Sequence, residues 1–139
     1  MTDRLFLPLE TRQRLAKLAS KGYPEESCGL LIGTCGAGEH RVERAVEARN
    51  LNRERARDRY ELDPVDHLRA DEEARRAGLE VVGVWHSHPD HPARPSETDR
   101  LAAWEGWSYV IAAVGAEGLA DLRSFRLADG NFIEEEIVE

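Results

Sequence analysis

One segment constrains this chain more than any other. Leu79-Glu-Val-Val-Gly-Val-Trp85 is β-branched and nearly continuous in hydrophobicity, and it runs straight into His86-Ser87-His88-Pro89. An apolar run with so little polar alternation predicts a central strand covered on both faces, so the rest of the chain must supply a layer on each side. Residues two apart on an extended backbone project to the same side, which makes the two imidazoles at the end of that strand converge.

The flanking sequence offers those layers. Leu9 to Lys21 places Leu9, Leu15, Ala16, Leu18 and Ala19 at helical spacing among Arg, Gln and Lys, with Gly22 as a stop. The apolar run from Cys28 to Thr34 ends at a Gly36-Ala37-Gly38 turn, and His40 to Ala48 then alternates, which predicts a β-hairpin. Arg49 to Arg59 is polar, with two asparagines and several arginines, and reads as a mobile surface loop beside a substrate groove. Tyr60 to Asp63 reads as a brief strand. Asp63 then caps a helix that begins at Pro64, runs to Arg76 and ends at Gly78. A second short helix is expected from Ser96 to about Glu105. Closing strands are expected over Ser108–Val114, Leu119–Leu127 and Asn131–Val138. The fold class is therefore α/β, a mixed β-sheet flanked by helices, in one domain spanning residues 1–139.

Composition narrows the function classes. With 41% hydrophobic and 33% charged residues the chain has the balance of a soluble globular protein. No apolar run approaches the roughly 20 residues that span a bilayer. The opening Met-Thr-Asp-Arg-Leu-Phe lacks the pattern of a secretory leader, so a cytoplasmic location is expected. A net charge of -8 without a dense Lys/Arg cluster argues against nucleic acid and anionic lipid as partners. Cys28 and Cys35 are too few for a stapled secreted domain and read as free thiols, Cys28 as a small buried residue.

Two further residues join the histidine pair. A helix starting at Ser96 puts Asp99 in its first turn, where the proline-punctuated loop returns beside the strand end. Two histidines and one carboxylate are the set that catalytic zinc uses when it keeps a fourth position for water. Glu26, just before the Cys28 strand, could take the water's proton. Each piece alone has a plainer reading. His-x-His before proline suits a surface turn, Asp99 the third residue of a helix capped by Ser96, and Glu26 a solvated carboxylate. His40 and His91 have no partner at ligand spacing and read as surface residues, and His67 as exposed or packing on its helix. Trp85, Trp104 and Trp107 read as core.

Taken together, Pro24-x-Glu26-x-Cys28-Gly29, then His86-x-His88-Pro89, then Pro95-Ser96-x-x-Asp99 with ten residues between His88 and Asp99, resembles the JAMM/MPN+ metalloproteases. Tyr60-Glu-Leu-Asp-Pro64 and Val81 to Pro89 resemble core segments of the same family, so the likeness covers essentially the whole chain. It implies a cytidine-deaminase-like sandwich in which His86, His88 and Asp99 hold one zinc ion. It further implies Glu26 as general acid/base and Ser96 as hydrogen-bond donor to the oxyanion. Family members commonly cut after the Gly-Gly tail of a ubiquitin-like protein. The compact prokaryotic form implies a small ubiquitin-fold sulfur-carrier protein as partner, with release of cysteine or another short adduct. An isopeptidase acting on tagged proteins would use the same site, and a non-catalytic MPN module would lack the ligands. A zinc deaminase would need His-x-Glu and a later Pro-Cys-x-x-Cys, which are absent. A homodimer is left open.

Overall fold

The computed structural model describes residues 3–139; Met1 and Thr2, which open the stretch read for a leader, lie outside the described residues. Seven strands and three helices follow in the order β1 (Arg4–Phe6), α1 (Leu9–Lys21), β2 (Cys28–Gly36), β3 (Glu39–Ala48), α2 (Pro64–Arg76), β4 (Glu80–Pro89), α3 (Glu97–Ala102), β5 (Ser108–Gly115), β6 (Gly118–Ala128) and β7 (Asn131–Val138). The mixed sheet and flanking helices of the α/β class are present in strand-rich form. The sheet also closes on itself, in the order β1-β3-β2-β4-β5-β6-β7. Closure comes from β1, a strand the sequence does not announce, which pairs in parallel with both β3 and β7.

The strand that carries the histidines lies where its composition predicts. It is antiparallel to β2, parallel to β5, and buried from Val81 to Pro89. It also extends through His86-Ser87-His88-Pro89 rather than ending at Trp85, so the imidazoles stand on ladder backbone. Gly83 permits a close approach there: a Cβ at this position would lie 2.2 Å from the Ser108 carbonyl oxygen on β5.

Two apolar clusters flank this strand. Leu15 and Ala19 of α1 pack with Leu5, Leu31, Val82 and Trp85. Ala70 and Ala74 of α2 pack with Leu30, Ile32, Val81 and Val84. The α2 cap is as expected, with the Asp63 carboxylate accepting the Val65 N–H at 2.9 Å and Pro64 in the first turn. Tyr60 to Asp63 makes only an isolated bridge, Asn50 opposite Leu62. The helix after Ser96 is shorter than its sequence suggests, because Ala103 already adopts an extended conformation.

Two readings of single residues and one of a loop are corrected. His40 is buried, because it shares the inward phase of β3 with Val42; its Nδ1 is 2.7 Å from Ser108 Oγ, which satisfies it there. Trp85 is core, with its indole N–H donated to the Val46 carbonyl at 3.0 Å, but Trp104 is 72% exposed. The Arg49 to Arg59 loop is pinned rather than loose. Asn50 donates to the Glu26 and Arg59 carbonyls and accepts from the Asn52 and Glu61 N–H groups. Among the described residues no helix is long and apolar enough to cross a membrane.

Candidate active site

Antiparallel pairing of β2 with β4 sets the site. Cys28 lies opposite His86, so the segment entering β2 meets the segment leaving β4. Two bonds tie them: Ser27 N–H donates to Ser87 Oγ at 2.8 Å, and Ser87 N–H donates to the Ser27 carbonyl at 2.9 Å. Glu26 therefore sits beside the histidine pair and is buried, whereas Glu25 is exposed.

His86, His88 and Asp99 converge on one point. The two Nε2 atoms are 3.1 Å apart, and Asp99 Oδ2 lies 3.2 Å from that of His88 and 3.4 Å from that of His86. The Pro92 carbonyl is 2.9 Å from His88 Nδ1 and must accept a proton from it, so the Nε2 of that ring presents a lone pair. Tyr60 stacks on His86 with ring centroids 4.5 Å apart and holds the second ring in place. Acceptor atoms facing one another at these distances repel unless a cation stands between them. Ligand atoms at the usual zinc bond length of about 2.0–2.1 Å in a tetrahedron stand about 3.3 Å apart. The observed spacings match, so the donor set fits such an ion. Glu26 Oε1 is buried with no hydrogen-bond partner among the described residues, so it is free to accept a proton beside the three ligands.

Asp99 does two jobs at once. Its Oδ2 accepts the Ser96 N–H at 2.8 Å and its own N–H donates to Ser96 Oγ at 3.0 Å, a capping box that fixes the carboxylate on the first turn of α3. The plain reading and the functional one are thus the same geometry.

Electrostatics divide the carboxylates. Burial pushes the Glu26 carboxyl up to about 8, the direction a proton acceptor near neutral pH requires. In metal-free protein the ring nitrogens can carry protons in place of a metal: burial would then raise Asp99, but hydrogen bonds from His86 and His88 outweigh it and hold that carboxyl well below the usual range. Burial lowers His86. Burial pulls His88 the same way, but its bonds to Asp99 and Pro92 leave it raised. Cys28, pushed up to about 12 by burial, stays a protonated thiol and is no nucleophile. Both cysteines are free.

Two cavities meet at the ligands. One, about 720 Å³, is lined by Tyr60, Leu62, Val84, Asp99, Trp107 and Tyr109. The other, about 400 Å³, is lined by Glu26, Arg59, His88, His91, Arg94 and Ser96. Tyr60, Asn50 and Arg94 carry no local sequence signal that marks them as site residues. Asn50 stood out only as an amide in an arginine-rich loop, and Tyr60 as the start of the Tyr-Glu-Leu-Asp-Pro segment.

Fold and site together define a mixed-sheet α/β protein that presents two histidines and an aspartate in metal-ligand array beside a buried glutamate. The chain belongs to the family of prokaryotic homologs of the JAB domain, whose model matches residues 8–128. It is 36% identical over 117 residues to a desampylase of Haloferax volcanii, which covers 81% of this chain and 82% of that protein. It is 33% identical over 120 residues to a CysO-cysteine peptidase of Mycobacterium tuberculosis, covering 86% and 80%. Among solved structures it resembles a protein of Desulfitobacterium hafniense, with a TM-score of 0.85, 31% identity and coverage of 96% and 91%. A JAB1/MPN domain protein of Archaeoglobus fulgidus shares the fold, with a TM-score of 0.57 at 17% identity and coverage of 98% and 99%. With peptidases among its relatives, the chain is a hydrolase.

Proposed function

We propose that this chain is a zinc-dependent peptidase that cleaves the amide bond after the C-terminal Gly-Gly of a small ubiquitin-fold sulfur-carrier protein, releasing cysteine or a short adduct. The observation that carries this reading is the trio of ligand atoms at zinc-like spacing with an unpartnered buried carboxylate oxygen beside it. Relatives named CysO-cysteine peptidase and, in Thermus thermophilus, probable TtuB-protein conjugate cleaving protease support the substrate class. The second supports an isopeptidase reading of the same site.

In this reading His86, His88 and Asp99 hold the zinc, which supplies Lewis-acid polarisation of the carbonyl and a more acidic water. Glu26 takes the proton of the attacking water and returns it to the departing nitrogen, so water's oxygen ends on the glycine carboxylate and its protons balance the new amine. The Ser96 hydroxyl accepts from the Asp99 N–H and keeps its own proton to donate to the oxyanion. Asn50 holds the Glu26 backbone in place. The bridge bonds run from Leu51 N–H to Glu61 O and from Asp63 N–H to Arg49 O, so strand alternation turns the polar groups of Tyr60 and Leu62 the other way. That free edge lies in the larger cavity, where an extended Gly-Gly tail can pair with it.

A single domain over residues 1–139 is part of the proposal, supported by β1 and β7 pairing from opposite ends of the chain. So is a kinship of the fold with the cytidine-deaminase sandwich, supported by helices packed on a mixed sheet. A cytoplasmic setting is supported by the two free thiols. The test extends ubiquitin-fold carriers encoded by the same genome past Gly-Gly with cysteine or a peptide and follows them by mass spectrometry. Zinc-dependent trimming that stops with a chelator is the expected result; a purified protein that takes up no metal overturns the reading.

A further inference from the structure

The two cavities differ in chemistry. The larger is lined by aromatic and apolar side chains together with Arg59, Glu61, Asp71 and Glu80, and offers a strand edge. The smaller brings Arg59 and Arg94 to the cavity that Glu26, His88 and Ser96 share. It also holds the carboxylates of Glu26 and Asp58.

Nothing in the fold uses Arg94. Among the described residues its guanidinium makes no ion pair and no hydrogen bond, whereas two arginines of the neighbouring loop are committed. Arg55 clasps Asp58, and Arg49 pairs with Asp63 at 2.8 Å. Asp58 also lines the smaller cavity; Arg55 binds both of its oxygens and Arg59 lies 3.8 Å from one of them, so of the two guanidiniums lining this cavity only that of Arg94 has no carboxylate partner among the described residues. The backbone beneath Arg94 is held in place. Ala93 is buried against Ile111, Ala113 and Phe125, and the Arg94 N–H donates to the Pro92 carbonyl at 2.8 Å, the same carbonyl that orients His88. An unpaired, exposed guanidinium on an anchored turn that lines the cavity is a ready receptor for a carboxylate.

The position of Glu26 sets direction. The group that protonates the departing nitrogen must lie on the leaving-group side of the scissile bond, and Glu26 lines the smaller cavity and not the larger. The acyl tail then occupies the larger cavity and the leaving group the smaller.

We propose that Arg94 binds the α-carboxylate of the departing residue, so that the enzyme selects leaving groups that are C-terminal amino acids over the ε-amine of a protein lysine. This rests on the peptidase reading above and decides between its two substrates. A free amino acid joined through its α-amine carries a carboxylate two bonds from the scissile nitrogen; a lysine joined through its side chain does not. Charge-assisted bonds to a carboxylate correspond to roughly a ten- to hundredfold preference.

The experiment uses the zinc-loaded protein and a ubiquitin-fold carrier ending in Gly-Gly, extended by one cysteine as the free acid, as the carboxamide, or replaced by a Gly-Gly-lysine isopeptide. The expected result is kcat/KM roughly ten- to a hundredfold higher for the acid than for the carboxamide. Arg94→Ala slows only the acid and erases the preference, and Arg94→Lys keeps part of it. Arg57→Ala, which alters a loop arginine outside this cavity, leaves it intact. Calorimetric binding of both probes to zinc-loaded Glu26→Gln should show the same ratio without turnover. Equal handling of acid and carboxamide, or a preference that survives Arg94→Ala, overturns the clamp and leaves the peptidase reading standing; cleavage of the isopeptide alone overturns the clamp and leaves the isopeptidase reading. Failure to cleave any of the three defeats that reading, and the clamp with it.

Discussion

At the scale of single residues, the chemistry turns on one buried glutamate. If Glu26 moves protons and the three ligands hold metal, the two roles separate by mutation. Glu26→Gln should bind zinc as the parent does while losing roughly two to four orders of magnitude in turnover. His88→Ala should lose the metal, as read by elemental analysis of the purified protein. The raised carboxyl also predicts a stability signature in metal-free protein. Burial favours the protonated form of Glu26, so between its ordinary value of 4.5 and about 8 the folded chain binds more protons than the unfolded one. Stability from this group is therefore complete below 4.5 and is lost as pH rises through 8. Glu26→Gln escapes that loss. Its melting temperature should exceed the parent's at about pH 9 and the gap should shrink toward about pH 5; a gap independent of pH would count against a buried, neutral Glu26. The resemblance to the family's Pro-x-Glu-x-Cys-Gly register picks Glu26, which is buried, rather than its exposed neighbour Glu25. Arg94 was not legible, because an unpaired guanidinium acquires meaning only when the groups around it are known.

At the scale of elements, legibility follows the strength of local signals. The helices α1 and α2 could be read because periodicity, Pro64, Asp63 and the stop glycines all agree. β4 could be read as a continuous apolar run. What could not be read is whatever depends on a distant partner. β1 is three residues long and exists through its neighbours, and His40 faces inward because Ser108 from β5 waits for it. Helix α3 is the instructive middle case. It is short and none of its residues is buried, so its place depends on the Ser96–Asp99 box. Ser96→Ala removes that cap at a cost of about 1 kcal/mol and frees the aspartate to wander. Zinc affinity, measured by competition with a chelating indicator, should fall several-fold and turnover should fall further. Ser96→Thr should restore both, because the hydroxyl serves as cap and as donor. Full activity in the alanine variant would remove Ser96 from the chemistry.

At the scale of the whole molecule, the site is a consequence of how the sheet closes. The ligands and Glu26 gather where β2 begins and β4 ends, and both strands are interior to the ladder, so the site inherits the rigidity of the best-paired part of the fold. Closure is remote from it. It falls to β1, whose Leu5 is fully buried opposite His40 on one side and Ile137 on the other. Leu5→Ala leaves a cavity in the cluster that α1 shares with Trp85, at a cost of about 2–5 kcal/mol. The melting temperature should drop by roughly 10 °C for a chain of this size. Zinc affinity at about 25 °C should stay unchanged, because no ligand sits on β1. Leu101→Ala, at a side chain 72% exposed, serves as the contrast and should melt with the parent. If Leu5→Ala weakened zinc binding as much as stability, the two ends of the barrel would be one cooperative unit, and the independence of the site from its closure would have to be given up.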